Sequence, residues 1–277
     1  AVIYILTHSR RVEKLSETLH LIYHNAWKQF PYYPVIIFHD DLNSFISVTF
    51  RLPELFQDNS SEAQPTLLRG ATNTTRRFHA SDVPERTLCS ALSSTIGYRH
   101  MIRFHATQVH SYLSKLTWRN SGQLEYIWRL DDDSYITHPI GYDVFRFMKA
   151  NSMKYGFVNM VKDDPLCIRG LWDHAAQFFN NTVSRESDKN WHNRSFFLDL
   201  DEGAVFYNNF EVSSAALWRD PRWVSYMESV DATGNIYLER WGDAPLHTVG
   251  VAMLLAKENV HKFSDIGYRH DPFIYRP

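Results

Sequence analysis

The sequence predicts an α/β fold that begins with a Rossmann-like, nucleotide-facing unit. Three observations predict it. Val2 to Leu6 is an apolar run of strand length. Between Arg10 and Phe30, the residues Val12, Leu15, Leu19, Ile22 and Trp27 recur at helical spacing. "YPVIIFHDD" is then a second apolar run that ends in polar residues. Strand, helix and strand within about forty residues make a βαβ unit, which pairs its strands in parallel.

Taken in order, the first helix has Thr7 or Ser9 as its cap. Ligands of parallel sheets lie at the carboxyl ends of the strands. Thr7, His8, Ser9 and Arg10 stand at one such end, and His39, Asp40 and Asp41 at another, where a nucleotide is expected. No G-x-G-x-x-G fingerprint is present, which disfavours a dinucleotide. Residues 51 to 96 are polar around "QDNSSEAQPTLLRGATNTTRR" and read as a long excursion. Order returns at "GYRHMIRFHATQVHSYLSKL", with a helix expected over its second half. Leu124 to Leu130 is the next strand and delivers Asp131, Asp132 and Asp133 at its end. "IGYDVFRFMKAN" reads as a short helix and "KYGFVNM" as a strand. A loop-rich stretch with Trp172 and Trp191 follows, and "EGAVFYNNFEVSSAALW" reads as strand then turn. "PRWVSYMESVD" is a helix with Pro in its first turn. "GDAPLHTVGVAMLLAKEN" is another, with Asp243 as N-cap and Pro245 in the first turn. No repeat or linker divides the chain. It reads as a single domain over 1–277, with the βαβ start in 1–50, a variable excursion in 51–96 and the remainder in 97–277.

Composition excludes some functions. With a net charge of −2 and no basic patch, nucleic-acid binding is disfavoured. No apolar run is long enough to span a membrane. The sequence opens on "AVIYIL" with no basic segment before it, so a catalytic fragment or a domain without its leader is expected. The 15 Tyr, 18 Phe and 8 Trp suit a carbohydrate-facing cleft and an aromatic core equally. Cys89 and Cys167 allow one disulfide or two free thiols. Sequons at Asn59, Asn73, Asn180 and Asn193, all in stretches that read as loops, lean towards a secretory route.

Three places carry residues suited to chemistry. Asp131 and Asp133 alternate along a strand end, so they share a face and suit a hard divalent cation. A solvated acidic turn is the plain alternative, and Arg129 is an ion-pair partner or a phosphate contact. His247 follows Asp243 by four residues on a helix, where a carboxylate can orient an imidazole that completes a Mn²⁺ site; a core histidine satisfied by a carbonyl is the alternative. Glu211, in "FYNNFEVSS", lies against an apolar wall and suits a nucleophile, base or oxocarbenium stabiliser. Asn208 and Asn209 beside it suit sugar hydroxyls, and an ordinary strand-end Glu is the alternative.

"GYRHMIRF", "YIWRLDDD", "YGFVNMVKDDP", "FYNNFE", "YLERWGDAPLHT" and "HKFSDIGYRHDPF" come in that order. From Gly97 onwards they resemble the fungal α-1,2-mannosyltransferases of the Kre2/Mnt1 type, glycosyltransferase family 15. The resemblance implies a GT-A fold, with a mixed central sheet and helices on both faces. It implies transfer of mannose from GDP-mannose to a mannose 2-hydroxyl on an oligosaccharide or glycoprotein, with retention and with Mn²⁺. It implies a Golgi lumenal enzyme whose type II membrane anchor is absent from this sequence. By the same resemblance Asp131 and His247 hold the metal, Asp133 serves the donor and Glu211 is catalytic. GDP is then expected near Thr7, Arg10 and Asp40. Arg103, Arg129 and Arg240 are candidates for the diphosphate, and Trp241 for stacking on a sugar. The chain departs from the family pattern where Glu and Pro of the acidic motif are Asp131 and Asp132. Ile102 stands at a family cysteine, so a pairing of Cys89 with Cys167 is not inherited. A UDP-sugar donor, a phosphate-ester hydrolase and an inactive carbohydrate-binding relative are the rival readings.

Overall fold

A computed structural model describes residues 1–27, 33–41, 44–51, 66–68, 89, 95–118, 122–183 and 195–277. Among the described residues, eight strands form the central sheet: β1 (Val2–His8), β2 (Pro34–Asp41), β3 (Ser44–Arg51), β4 (Thr66–Leu68), β5 (Tyr126–Asp131), β6 (Tyr155–Phe157), β7 (Phe210–Ser214) and β8 (Val260–Lys262). Their order is β8-β6-β7-β5-β1-β2-β3-β4. β1 pairs in parallel with β2, Ile3 facing Val35, and with β5, Ile3 facing Trp128. β7 runs antiparallel between β5 and β6, so the sheet is mixed. The parallel βαβ start and the mixed sheet are both as the sequence led one to expect.

β1 is apolar from Val2 to Leu6 because both its faces are covered. Val2 and Tyr4 join a core under the later helices, with Ile102, Val109, Trp218 and Val249. Ile3 and Ile5 join a second core on the opposite face, with Leu19, Ile22, Phe145 and Met148. The first helix is α1 (Val12–Ile22), and the chain continues into a wider π-type turn at Tyr23–Trp27. Thr7 makes no cap at its start, since its hydroxyl goes to Asp132, and the side chain of Ser9 lies outside the described residues. The His8 imidazole instead accepts from the Arg10 N–H at 3.1 Å.

Three expectations are corrected here, and one question that the sequence leaves open is answered. The helix expected over only the second half of "GYRHMIRFHATQVHSYLSKL" begins at its front. Thr95 caps α2 (Ile96–Arg103), which runs through a π-type turn into α3 (His110–Ser114). α4 (Val144–Ala150) follows. The stretch read as loop-rich forms α5 (Leu171–Val183), and exposed Asn180 of the third sequon sits on it. After α6 (Pro221–Thr233) and α7 (Asn235–Leu238) comes α8 (Asp243–Leu254), at whose start Asp243 makes no cap; its carboxylate turns to Arg129 instead. α8 lies close to α6 because residue 250 is glycine: a Cβ there would come within 2.5 Å of the Trp223 ring. Finally, Cys89 and Cys167 are joined by a disulfide across 78 residues of sequence.

That bond closes a long loop, and the stability it adds is largely a constraint on the unfolded chain. Reduction, or Cys167→Ser, should lower unfolding stability by about 2–4 kcal/mol. Urea titration with and without reductant reads this directly, and an unmoved midpoint would mean that the bond adds nothing. Most of the excursion at 51–96, the side chain of Asp40, and Asn59, Asn73 and Asn193 lie outside the described residues.

Candidate active site

A cavity of about 830 Å³ opens at the carboxyl ends of β1 and β5. Its floor is the acidic turn. Each of the three carboxylates meets a cation, Arg11 being shared by Asp132 and Asp133, and this offsets the repulsion within the triplet. Arg129 reaches Asp131 Oδ1 at 3.2 Å. Asp132 accepts from Thr7 Oγ1 at 2.7 Å and from Arg11 Nε at 2.8 Å. Asp133 Oδ2 takes Arg11 Nη2 at 2.5 Å and Lys14 Nζ at 3.1 Å. The Thr18 hydroxyl donates to the Asp132 carbonyl at 2.8 Å, which ties α1 to the turn.

One oxygen of Asp131 and one of Asp133 face elsewhere. His270 Nε2 lies 3.0 Å from Asp133 Oδ1 and 3.8 Å from Asp131 Oδ2. Strand pairing delivers this histidine. Tyr135–Ile136 follows the acidic turn directly and pairs antiparallel with Tyr268–His270, Arg269 facing Tyr135. The next position brings His270 to the turn itself. Burial opposes protonation of His270, but Asp133 and Asp131 outweigh it and raise its pKa. Burial also opposes the Asp133 carboxylate, yet His270, Lys14 and Arg11 hold its pKa well below the usual range. Asp131 is the reverse case: burial outweighs Arg129 and raises it. Asp131 Oδ2, Asp133 Oδ1 and His270 Nε2 are donor types that Mn²⁺ accepts; an ion held there would draw the three closer together and displace the proton from Nε2.

Arg129 is buried and bridges Asp131 to Asp243, whose Oδ2 it reaches at 2.5 Å; Asn208 Nδ2 donates to the same oxygen at 3.0 Å. The far wall holds Arg240 over the Tyr98 ring at 5.3 Å. Its Nη2 donates to the Tyr98 hydroxyl at 3.2 Å and its Nη1 lies 3.9 Å from Asp163. Arg240 has φ 67°, an uncommon backbone state for a side-chain-bearing residue.

Behind the cavity lies a closed cluster. Glu211 is 0% exposed; its Oε2 accepts from Tyr155 Oη at 2.7 Å and lies 2.8 Å from His247 Nδ1. His110 Nε2 stands 2.9 Å from Glu211 Oε1. None of these four residues lines the cavity.

A family model described as "Glycolipid 2-alpha-mannosyltransferase" matches residues 1–277. The chain belongs to this family. A glycolipid 2-alpha-mannosyltransferase of Saccharomyces cerevisiae is 35% identical over 183 residues, 64% of this chain and 39% of the relative. Glycolipid 2-alpha-mannosyltransferase 1 of Candida albicans is 34% identical over 187 residues, 65% of this chain and 41% of the relative. The chain thus spans less than half the length of these curated relatives. Among solved structures, the Mn/GDP form of core-mannan synthase A from Aspergillus fumigatus superposes with TM-score 0.73 at 23% identity, covering 100% of this chain and 76% of that one. The mannosyltransferase Ktr4p of S. cerevisiae superposes with TM-score 0.70 at 23% identity, covering 100% of this chain and 71% of that one. The expected GT-A glycosyltransferase fold, with helices on both faces of a mixed sheet, is therefore borne out.

Within this family fold the expected site residues separate. Thr7, Asp131, Asp133, Asn208, Asn209, Arg129 and Arg240 line the cavity. Arg10 does not: it is exposed, and Arg11 occupies the place expected for it. Arg103 is spent elsewhere, pairing with Asp231 at 2.7 and 2.9 Å between α2 and α6. Trp241 is 1% exposed and donates from its indole to the Arg169 carbonyl, so it offers no face to a sugar. The backbone of Asp40 pairs with His8 at the strand ends. The structure does not bring His247 to Asp131. His247 lies in the closed cluster with Glu211, and His270 is the histidine beside Asp131. Arg11, Lys14, His270 and Tyr98 were not singled out from sequence. His270 lies inside the quoted "GYRHDPF", so the motif held the signal, but nothing local distinguishes that histidine from His247.

Proposed function

We propose that the chain is a retaining mannosyltransferase, moving mannose from GDP-mannose to the 2-hydroxyl of an acceptor mannose, with Mn²⁺ at Asp131, Asp133 and His270. The observation that supports this is the facing of those three side chains on the wall of the cavity, in a chain of this family. When bound, the ion neutralises diphosphate charge as a Lewis acid. Arg11 keeps Asp132 and Asp133 fixed at the nucleotide end, next to Thr7 and His8. Asp243 and Asn208, tied to Arg129, present polar atoms to the sugar region. Arg240, Tyr98 and Asp163 form the opposite wall, where the acceptor sits.

In this reading the acceptor hydroxyl attacks C1 from the side that the diphosphate leaves. The bond from C1 to the β-phosphate oxygen breaks with its electron pair on GDP. The bond from C1 to the acceptor oxygen forms, and the hydroxyl proton passes to the departing phosphate. Configuration is retained without a carboxylate nucleophile bonding to C1, which agrees with the burial of Glu211. The acceptor is an oligosaccharide or glycoprotein, and the site of action is the Golgi lumen, through an anchor outside this sequence. The Cys89–Cys167 bond suits that oxidising compartment. Among the described residues no helix is long and apolar enough to cross a membrane.

Calorimetry of GDP and UDP with and without Mn²⁺ tests the donor. GDP should bind in a Mn²⁺-dependent way, with UDP at least about tenfold weaker, a difference of about 1.4 kcal/mol. Preference for UDP would keep the fold and discard GDP-mannose. Binding without any transfer to mannose acceptors would leave the chain as a carbohydrate-binding relative.

A further inference from the structure

We propose that His110, Glu211 and His247 form a second metal site, separate from the cavity carboxylates, which takes a borderline divalent ion such as Zn²⁺. Among the described residues these three are the group whose ligand atoms all lie within 4.8 Å of one another. They come from three elements, α3, β7 and α8, and are at most 2% exposed.

The hydrogen positions argue for a cation between them. His110 Nδ1 lies 3.3 Å from the His105 carbonyl, and a carbonyl only accepts, so Nδ1 carries the hydrogen. In the neutral ring Nε2 is then a bare lone pair. It stands 2.9 Å from Glu211 Oε1, another lone-pair atom, yet that oxygen makes no hydrogen bond. Two acceptors this close repel unless a positive centre stands between them, either a second proton on the imidazole shared with the carboxylate or a metal ion that draws on both lone pairs. A backbone carbonyl on the far nitrogen is also the usual way in which a metal-binding imidazole is oriented. His247 offers Nδ1 to the same centre, 2.8 Å from Glu211 Oε2, and its buried Nε2 has no partner.

The surroundings fit an ion. The neighbouring guanidinium of Arg129 is already shared between Asp131 and Asp243, so it does not neutralise Glu211 as well. His110 stacks on Trp218 at 4.1 Å, and His247 packs against Trp218 and Trp223, so the polar atoms face inward within an apolar shell. The hydroxyls of Tyr4, 3.2 Å from His110 Nε2, and Tyr155, 2.7 Å from Glu211 Oε2, are at hand as further ligands. Two imidazoles and one carboxylate form a donor set that Zn²⁺ accepts and that a hard ion such as Mg²⁺ does not favour.

The test is metal content, which does not depend on the donor or on transfer. The purified chain, expressed with added zinc and dialysed against metal-free buffer, should carry one zinc by plasma mass spectrometry. Asp131→Ala should retain it, and His110→Ala and His247→Ala should lose it. Should a histidine variant fail to fold, Co²⁺ added to metal-stripped wild-type and Asp131→Ala protein should give the intense visible bands of a low-coordinate site in both. No zinc above the buffer blank in the wild type, zinc retained by both histidine variants, or Co²⁺ bands lost with Asp131 would each overturn the proposal.

Discussion

Asp131→Ala should remove metal-supported nucleotide binding, lowering GDP affinity in Mn²⁺ by at least about 100-fold, the upper end of what metal-site supports are worth. Asp131 Oδ2 and Asp133 Oδ1 both face His270 Nε2, so His270→Ala should produce a loss of similar size. His247→Ala separates the two candidate histidines. Its side chain faces Glu211 behind the sheet and lines no part of the cavity. That variant should therefore lose stability while folded protein keeps Mn²⁺-dependent GDP binding within a few-fold of wild type. Calorimetry of the three variants decides the matter. Loss of Mn²⁺ dependence in His247→Ala together with its retention in His270→Ala would return the metal to the histidine chosen on sequence grounds.

The second large effect is on stability. Arg129 is 3% exposed and stands between Asp131 and Asp243. Burial works against the Asp243 carboxylate, and Arg129 outweighs it, holding the Asp243 pKa well below the usual range. Arg129→Met fills a similar volume but leaves both carboxylates facing one another without the guanidinium. The expected cost is about 3–5 kcal/mol, the range for breaking a buried ion pair from one side. Chemical denaturation at neutral pH measures it. The double change with Asp243→Asn should recover part of the loss, because the uncompensated charge is then gone. A loss below about 1 kcal/mol would mean that water already reaches these groups, as it does for exposed pairs.

The first strand, the first helix and the second strand were readable because each is written in a local period. Apolar runs and helical spacing need only neighbours in sequence to be recognised. The parallel pairing followed from the order of the elements, and the Asp triplet was visible as a strand end. Local signals failed where the local evidence was even. The start of α1 shows this: adjacent residues on a helix point about 100° apart, so choosing Arg10 over Arg11 chooses solvent over the site. At 171–183 Leu171, Ala175, Phe178 and Phe179 recur at helical spacing, but the sequons and polar residues around them hid it, and a helix passed for loops. Arg103 and Trp241 had the right chemistry, but their partners, Asp231 and the Arg169 carbonyl, are distant in sequence.

By itself, then, the sequence determined the α/β class, the βαβ beginning, the acidic turn at the end of β5 and, through ordered motifs, the family. Only the tertiary structure decided which histidine meets the aspartates, that Cys89 and Cys167 pair, and that Glu211 is buried without lining the cavity. His270 reaches Asp133 because Tyr268–His270 pairs with the strand that leaves the acidic turn. Glu211 is sealed because β7 runs between β5 and β6 with α3 and α8 over it. Local pattern fixes what an element is, since sterics and burial act on neighbouring residues. Which elements meet is fixed by strand register and helix packing across the whole chain, and no short stretch of sequence records it.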